Sequence, residues 1–324
     1  MSRKLKKISL IIAAFLLVIG SLPFMGLVNA KAADTAGTEK VVIGTLKNTA
    51  SIPVLMGDAN TEYSNNDASV SVKSYDTTAE LNEAIQNGTV NAAVTDLVGY
   101  ASLVNTKANA SWKVVGTLPG YRGLVANKKY KSVKSLKGKT IAVDKNNSSE
   151  QYLKTVLKKN KMKASAVKIK QVDSEADRVN SLKSGEIDAA VLTDPEISNA
   201  KGNGAKVLSK QKTNSTNGDV FIINNKFASK NASTTRILVY VINKEIKLLN
   251  KAGGYGMAGN VLQTLNNAGN GTKYLTKVDV DFKTMHKVKK SDFNKAFKYA
   301  KSQKLYKGKV NYKKATLKVD GVKK

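Results

Sequence analysis

The sequence predicts an α/β protein of two lobes, each with a mainly parallel sheet flanked by helices. Three observations carry this. The phrase NGTVNAAVTD (Asn87 to Asp96) returns as SGEIDAAVLTDPE (Ser184 to Glu196), with Gly88 and Gly185 lying 97 residues apart, several times a solenoid period. Short apolar runs of strand character alternate with capped amphipathic helix patterns in both halves. Two extended, glycine-marked segments, GYRGLVANK (Gly120 to Lys128) and NSTNGDVFIINNK (Asn214 to Lys226), lie between the halves and read as two crossings of a hinge.

The chain opens with Arg3, Lys4, Lys6 and Lys7, an apolar run from Ile8 to Ile19, and the breakers Gly20, Ser21 and Pro23. That pattern is a secretory signal peptide, too short to span a bilayer. Cleavage is expected after Val28-Asn29-Ala30 or at Ala30-Lys31-Ala32, so residues 1–30 are assigned to the signal and 31–39 to a polar leader. VVIGTL (Val41 to Leu46) reads as a buried strand, followed by the loop Lys47-Asn48-Thr49-Ala50 and a helix opening near Ser51 with Pro53 in its first turn. The strand SVSVKSY comes next. Thr77 and Glu80 have capping-box spacing for the helix Ala79 to Asn87, and Gly88 suits its left-handed end. The strand VNAAV closes on Thr95-Asp96; a helix from Leu97 to Leu103 and the strand WKVVGTL, whose Trp112 reads as packing, complete this half.

The second half repeats the plan. TIAVD (Thr140 to Asp144) is a strand, Lys145-Asn146-Asn147 a loop, and Ser148 with Gln151 a capping box for a helix whose apolar residues are Leu153, Val156 and Leu157. Tyr152 on that helix reads as core. VKIKQV follows, then a helix capped by Ser174 with Asp177 and ended by Gly185, then IDAAVL and Thr193-Asp194. Ser233 or Thr234 is expected to cap a long amphipathic helix through Lys251, with Leu238, Val241, Ile242, Ile246 and Leu249 on one stripe. Further helices are predicted from Met257 to Asn266 and from Asp292 to Lys304, and these C-terminal helices are expected to pack on the first lobe. The resulting division is 40–126 for the first part of lobe I, 127–213 for lobe II, 214–307 for the second part of lobe I, and 308–324 for a basic tail.

Charge and cysteine exclude several classes. The formal charge is +30, and loss of the four basic signal residues leaves +26. Nearly all of the excess is lysine, since Arg3, Arg122, Arg178 and Arg236 are the only arginines. Lysine is a hydrated point charge without the planar fork suited to specific phosphate recognition, so a diffuse polyanion is a better partner than a sequence-read nucleic acid. The absence of cysteine removes disulfides, thiol catalysis, thiolate metal sites and a lipid-anchored cysteine. One histidine, His286, read as exposed, stands beside no nucleophile or acid motif, and HExxH, GxSxG and P-loop sequences are absent. Gly253-Gly254-Tyr255-Gly256 follows no strand and is not read as a nucleotide loop. No enzyme, no cofactor and no metal site is expected.

The run SVKSLKGKTIAVDKNNSSEQYL followed by SLKSGEIDAAVLTDPE resembles the extracytoplasmic substrate-binding proteins of ABC importers, in the class that handles nitrate, taurine, alkanesulfonates and the pyrimidine precursor of thiamine. The likeness covers roughly residues 40 to 310. It implies a two-lobed type II periplasmic-binding-protein-like fold with a two-crossing hinge. It also implies a small-molecule ligand held between the lobes and delivery to an ABC permease and its ATPase. Some relatives of this fold catalyse thiamine-precursor synthesis through histidine-rich sites, which this chain lacks. It departs from Gram-positive members in having no lipobox cysteine.

In open α/β sheets ligands bind outside the carboxyl ends of the strands. Four loops meet that condition: Asn48, Thr49 and Ser51, and Thr95 and Asp96, from lobe I; Asn146, Asn147, Ser148 and Ser149, and Thr193, Asp194 and Glu196, from lobe II. The helix starts at Ser51 and Ser148 can hold an anionic or carbonyl group, or the serines can serve only as caps. Asp96 and Asp194 fit either acceptance of hydrogen bonds from ligand amines or helix capping. Glu196, after Pro195, has no capping duty and points to a ligand or hinge role. Tyr121 and Arg122 stand at the first hinge crossing; surface exposure is the plainer reading of Tyr121, and Arg122 draws notice because arginine is scarce.

Helix starts favour an anion such as a sulfonate or nitrate, whereas Asp96, Asp194 and Glu196 favour a donor-rich heterocycle such as an aminopyrimidine or another polar molecule. The expected function is the secreted solute-binding component of an ABC importer; a non-transporting structural or adhesive surface protein on the same fold is the alternative. From Lys273 to Lys324 seventeen lysines stand against four acids. The final stretch, KGKVNYKKATLKVDGVKK, reads as a solvated tail or edge. With no lipid anchor, this charge points to retention on the anionic polymers of a Gram-positive cell wall.

Overall fold

In the computed structural model, residues 39–265 and 271–324 are described; the signal segment, most of the leader and Asn266 lie outside them. Among the described residues the ten strands are β1 (Val41–Leu46), β2 (Val70–Tyr75), β3 (Ala92–Asp96), β4 (Trp112–Thr117), β5 (Gly123–Ala126), β6 (Thr140–Val143), β7 (Lys168–Gln171), β8 (Ala189–Leu192), β9 (Lys206–Lys210) and β10 (Asp219–Asn224). They form two five-stranded sheets, ordered β2-β1-β3-β10-β4 and β7-β6-β8-β5-β9. Each repeated phrase supplies the middle strand of its sheet, β3 or β8, and small residues suit those positions because both faces are covered.

The hinge segments are strands over much of their length. β10 runs antiparallel to β3 and β4, and β5 antiparallel to β8 and β9, while β1, β2 and β3, and likewise β6, β7 and β8, are parallel. The reason is topological. The chain leaves β4 and β9 at the carboxyl edge of one sheet and enters the other sheet at its own carboxyl edge, so the entering strand must run against its neighbours.

The helices are α1 (Ile52–Ala59), α2 (Thr78–Gln86), α3 (Leu97–Leu103), α4 (Ser149–Lys159), α5 (Glu175–Ser184), α6 (Glu196–Gly202), α7 (Asn225–Lys230), α8 (Ala232–Ala252), α9 (Gly259–Thr264), α10 (Thr272–Leu275), α11 (Lys290–Ser302) and α12 (Tyr312–Ala315). The Thr77–Glu80 capping box opens α2, Ser174 caps α5 through the Asp177 N–H, and Gly88 and Gly185 take positive φ after α2 and α5. The apolar stripe of α8 is fully buried and packs on α1, and α11 packs on α3, so both join lobe I; α10 instead packs on α6 of lobe II. One buried cluster continues from Ile43, Val94 and Phe221 of the first lobe through Tyr121 to Val125, Ala190 and Leu192 of the second.

Four expectations are corrected here. Ser148 makes no cap hydrogen bond, because its hydroxyl is engaged across the cleft. Tyr121 is fully buried rather than exposed, since its ring lies in the core that joins the lobes. His286 is half-buried where residues 285–287 pair with the C-terminal strap. The basic terminus is not a free tail: Leu317 N–H donates to Val114 O, Lys323 N–H to Met285 O, and Leu317, Val319 and Val322 pack on the core. It is a strap along the edge of lobe I whose lysines point outward.

Candidate functional site

The carboxyl ends of the two sheets face each other, and polar side chains bridge the gap in layers. Deepest lies Asp194, fully buried, whose Oδ1 accepts from the Ser198 N–H and hydroxyl at 3.0 and 2.7 Å. Its Oδ2 accepts from the Tyr121 hydroxyl at 2.6 Å, and that hydroxyl lies 2.9 Å from the Tyr255 hydroxyl. Thr49 Oγ1 donates across the lobes to the Asp194 carbonyl at 2.9 Å. Burial pushes the Tyr121 and Tyr255 phenols well up, with Asp194 adding to both, so they act as neutral donors.

The middle layer is an ion cluster. Asp96, at the end of β3, caps α3 by accepting from the Val98 and Gly99 N–H groups with Oδ1. Its Oδ2 accepts from the Ser148 N–H at 3.0 Å, the Ser148 hydroxyl at 2.8 Å and Arg122 Nη2 at 3.1 Å. Arg122 also forms a two-point pair with Asp219, at 3.2 Å from Nη1 and 2.9 Å from Nη2. Burial pushes the guanidinium down, but the Asp219 and Asp96 carboxylates outweigh it and hold it above its ordinary value. Gly120 makes room for this pair, since a Cβ there would sit 2.1 Å from Asp219 Oδ2. A third bridge joins Thr78 Oγ1 of α2 to Asp144 Oδ2 at 2.7 Å, with Asn147 Nδ2 at 2.7 Å from the same oxygen. At the rim the Tyr299 hydroxyl of α11 donates to Glu150 Oε2 of α4 at 3.1 Å.

Arg122 and its partners divide the cleft. On one side is a cavity of about 230 Å³ lined by Leu97, Val98, Tyr152, Ser148, Gln211 and Lys295 among others. On the other, between the loops after β1, β3, β6 and β8 and the start of α5, is a cavity of about 50 Å³. Its charged lining is Asp76, Asp96, Asp173, Glu175, Glu196 and Asp219 against Lys47, Arg122 and Arg178. The excess is negative in a protein whose overall charge is +30. Glu196 is pushed up to about 7, chiefly by burial; Glu175 and Asp194 add to the shift, and Asn199 and Arg178 oppose it. Glu175, its carboxyl raised by burial, accepts from the Thr193 N–H and hydroxyl at 2.6 and 3.1 Å.

Among the residues expected from sequence, Asn48, Thr95, Asp96, Arg122, Asn147, Ser149 and Glu196 line the smaller cavity, and Ser148 with Arg122 lines the larger. Ser51 is buried and donates to Asn48 Oδ1, and the Asn146 N–H donates to Asp144 Oδ1. Thr49, Tyr121 and Asp194 face one another below the cavities rather than into them. Sequence reasoning missed Glu175, Arg178, Asp219 and Tyr255. Arg178 carried the same scarcity signal as Arg122, and its Nε is buried without a hydrogen-bond partner. Asp219 follows a glycine inside a hinge crossing. Among the described residues no group of His, Asp and Glu is placed to hold a metal ion.

Two lobes whose sheets each take one antiparallel strand from the hinge, closing on a polar cleft, make up the fold of the periplasmic binding proteins. The comparisons agree. The chain belongs to the NMT1/THI5-like family, whose model matches residues 48–251. Among solved structures it is similar to the alkanesulfonate-binding protein SsuA of Xanthomonas axonopodis pv. citri bound to MOPS, at TM-score 0.71 and 19% identity over 86% of this chain and 98% of that one. The aliphatic sulphonate-binding protein SsuA of Escherichia coli matches at TM-score 0.71 and 17% identity, over 86% and 98%. A ligand-binding component of an ABC-type import system from Staphylococcus aureus, with zinc bound, matches at 0.70 and 13%, over 86% and 97%. No curated protein sequence matches this chain.

Proposed function

We propose that this protein is the extracytoplasmic solute-binding component of an ABC importer, a binding protein rather than an enzyme, which captures a small polar nutrient between its lobes and presents it to a membrane permease. The observation that supports the ligand class is the negative excess of the smaller cavity in an otherwise strongly basic chain. Carboxylates that outnumber their cationic partners favour a ligand that brings positive charge or several N–H donors, such as an aminopyrimidine, over a sulfonate or nitrate. Asn48, Thr95, Asn147, Ser149 and Glu196 are proposed to contact it, while Thr49, Tyr121 and Asp194 hold the closed lobes together. A cavity of about 50 Å³ is far below the usual size of a ligand pocket, so binding requires the lobes to part first, and the ligand shifts the equilibrium by bonding to both.

The test is calorimetric titration with aminopyrimidines and other cationic heterocycles beside alkanesulfonates and nitrate. Saturable binding by the first group and none by the second is expected. Binding by the sulfonates alone overturns the ligand class, and binding by neither favours the structural surface-protein reading. Retention on anionic cell-wall polymers is proposed as well, supported by the exposed lysines of α11 and the strap, among them Lys295, Lys298, Lys301, Lys313, Lys314 and Lys318.

A further inference from the structure

The Asp96 carboxylate sits where a bound anion would sit. Its Oδ2 belongs to lobe I, yet all of its hydrogen bonds come from elsewhere: the N–H and hydroxyl of Ser148 in lobe II and the Arg122 guanidinium on the hinge strand. Arg122 is 4% exposed and Ser148 7%, so these donors are withdrawn from water and need an acceptor when the lobes close. Asp96 supplies it, held in place by the capping bonds of Oδ1 to the Val98 and Gly99 N–H groups.

We propose that Asp96 is an intramolecular surrogate ligand: it closes the cleft in the absence of solute and excludes anions from it, and so sets the ligand's charge class. The charge count agrees. Asp96 and Asp219 already place two carboxylates on one guanidinium, and a further anion would face a cluster that is negative before it arrives. With Oδ2 removed, the Ser148 donors and one Arg122 N–H lose their acceptor, and an oxygen of a small anion can take its place among them. The same device that keeps anions out of the native protein thus predicts that its removal lets them in. The role presupposes that solute is held in this cleft, but anion rescue of a variant is measured without that solute, so it can fail while solute binding stands.

Asp96→Ser keeps a capping oxygen for α3 and deletes Oδ2. Wild type and variant are melted in increasing formate or nitrate, with ionic strength held constant by chloride. The expected result is a saturable rise in Tm of about 3 °C in the variant and none in wild type. No rise in the variant overturns the proposal, and so does an equal rise in both, which would mark general binding to surface lysines. Should Asp96→Ser fail to fold, Asp96→Asn retains shape and cap while placing an amide among donors. Small-angle scattering should then give a larger radius of gyration than wild type without any ligand, and an unchanged radius overturns the assignment.

Discussion

Arg122 and Asp219 face each other as a two-point ion pair, 2.9 and 3.2 Å between atoms, and each belongs to a different crossing of the hinge. The pair therefore ties the two connections between the lobes to each other, and with Asp96 it makes the only described ion pairs that Arg122 forms. Both side chains are about 5% exposed, so the interaction is little screened by water. Replacing Arg122 by Ala leaves two buried carboxylates facing each other without a cation, and a loss of about 3–5 kcal/mol is expected in urea denaturation. Arg122→Lys should recover only part of it, because an ammonium cannot make the two-point contact.

Gly120 gives an independent test of the same packing. A methyl group at this position would lie 2.1 Å from Asp219 Oδ2 and 2.5 Å from its Cγ, so Asp219 must turn away from Arg122. Gly120→Ala is expected to destabilise the protein by about 1–3 kcal/mol. In combination with Asp219→Ala the added cost of the methyl should shrink, a non-additivity that a double-mutant cycle reads directly.

Removing the Tyr121 hydroxyl strips buried Asp194 Oδ2 of its donor. Tyr121→Phe should cost about 1–3 kcal/mol in thermal or urea unfolding. Tyr255→Phe should cost less, since the Tyr255 hydroxyl meets Tyr121 rather than the carboxylate. Equal losses from the two variants would contradict this ordering.

Glu196 makes stability depend on pH. Its folded carboxyl is pushed up to about 7 from an ordinary 4.5, so between those values the native state holds a proton that the unfolded chain has released. The resulting stability is fully present below about pH 4.5 and lost as pH rises through 7, by an amount of order 3 kcal/mol. Glu196→Gln should flatten that slope and raise stability at pH 8. A cationic ligand should bind more tightly to wild type above pH 7, where Glu196 is ionised, and the variant should lose this pH dependence.

Charge on the strap offers a test at the cell surface. Because residues 308–324 pair with β4 and with residues 285–287, deleting them would damage the edge of lobe I, and substitution is the cleaner experiment. Lys313→Gln, Lys314→Gln and Lys318→Gln together should lower the salt needed to wash the protein from cells and leave ligand affinity unchanged. Exposed charges are screened beyond about 10 Å at 0.1 M salt, so release by salt is expected. Release that requires detergent or wall hydrolysis would exclude an electrostatic anchor.

Much of the fold is local and was therefore legible in the sequence. The caps at Thr77 and Ser174, the left-handed glycines at 88 and 185, the buried stripe of α8 and the repeated small-residue strands all follow from patterns a few residues long. The cleft-facing loops were legible too, because strand ends in an open α/β sheet are where polar residues can meet a ligand. Tertiary structure decided what those residues do to one another. Whether Asp96 caps its own helix, holds a ligand or reaches the other lobe depends on Ser148, 52 residues away, and on Arg122; a carboxylate has enough acceptor positions to cap with one oxygen and bridge with the other. The hinge crossings show the same limit. Their extended character is written in Gly, Val and Ile, but their direction in each sheet follows from the edge at which the chain enters, which no local pattern encodes.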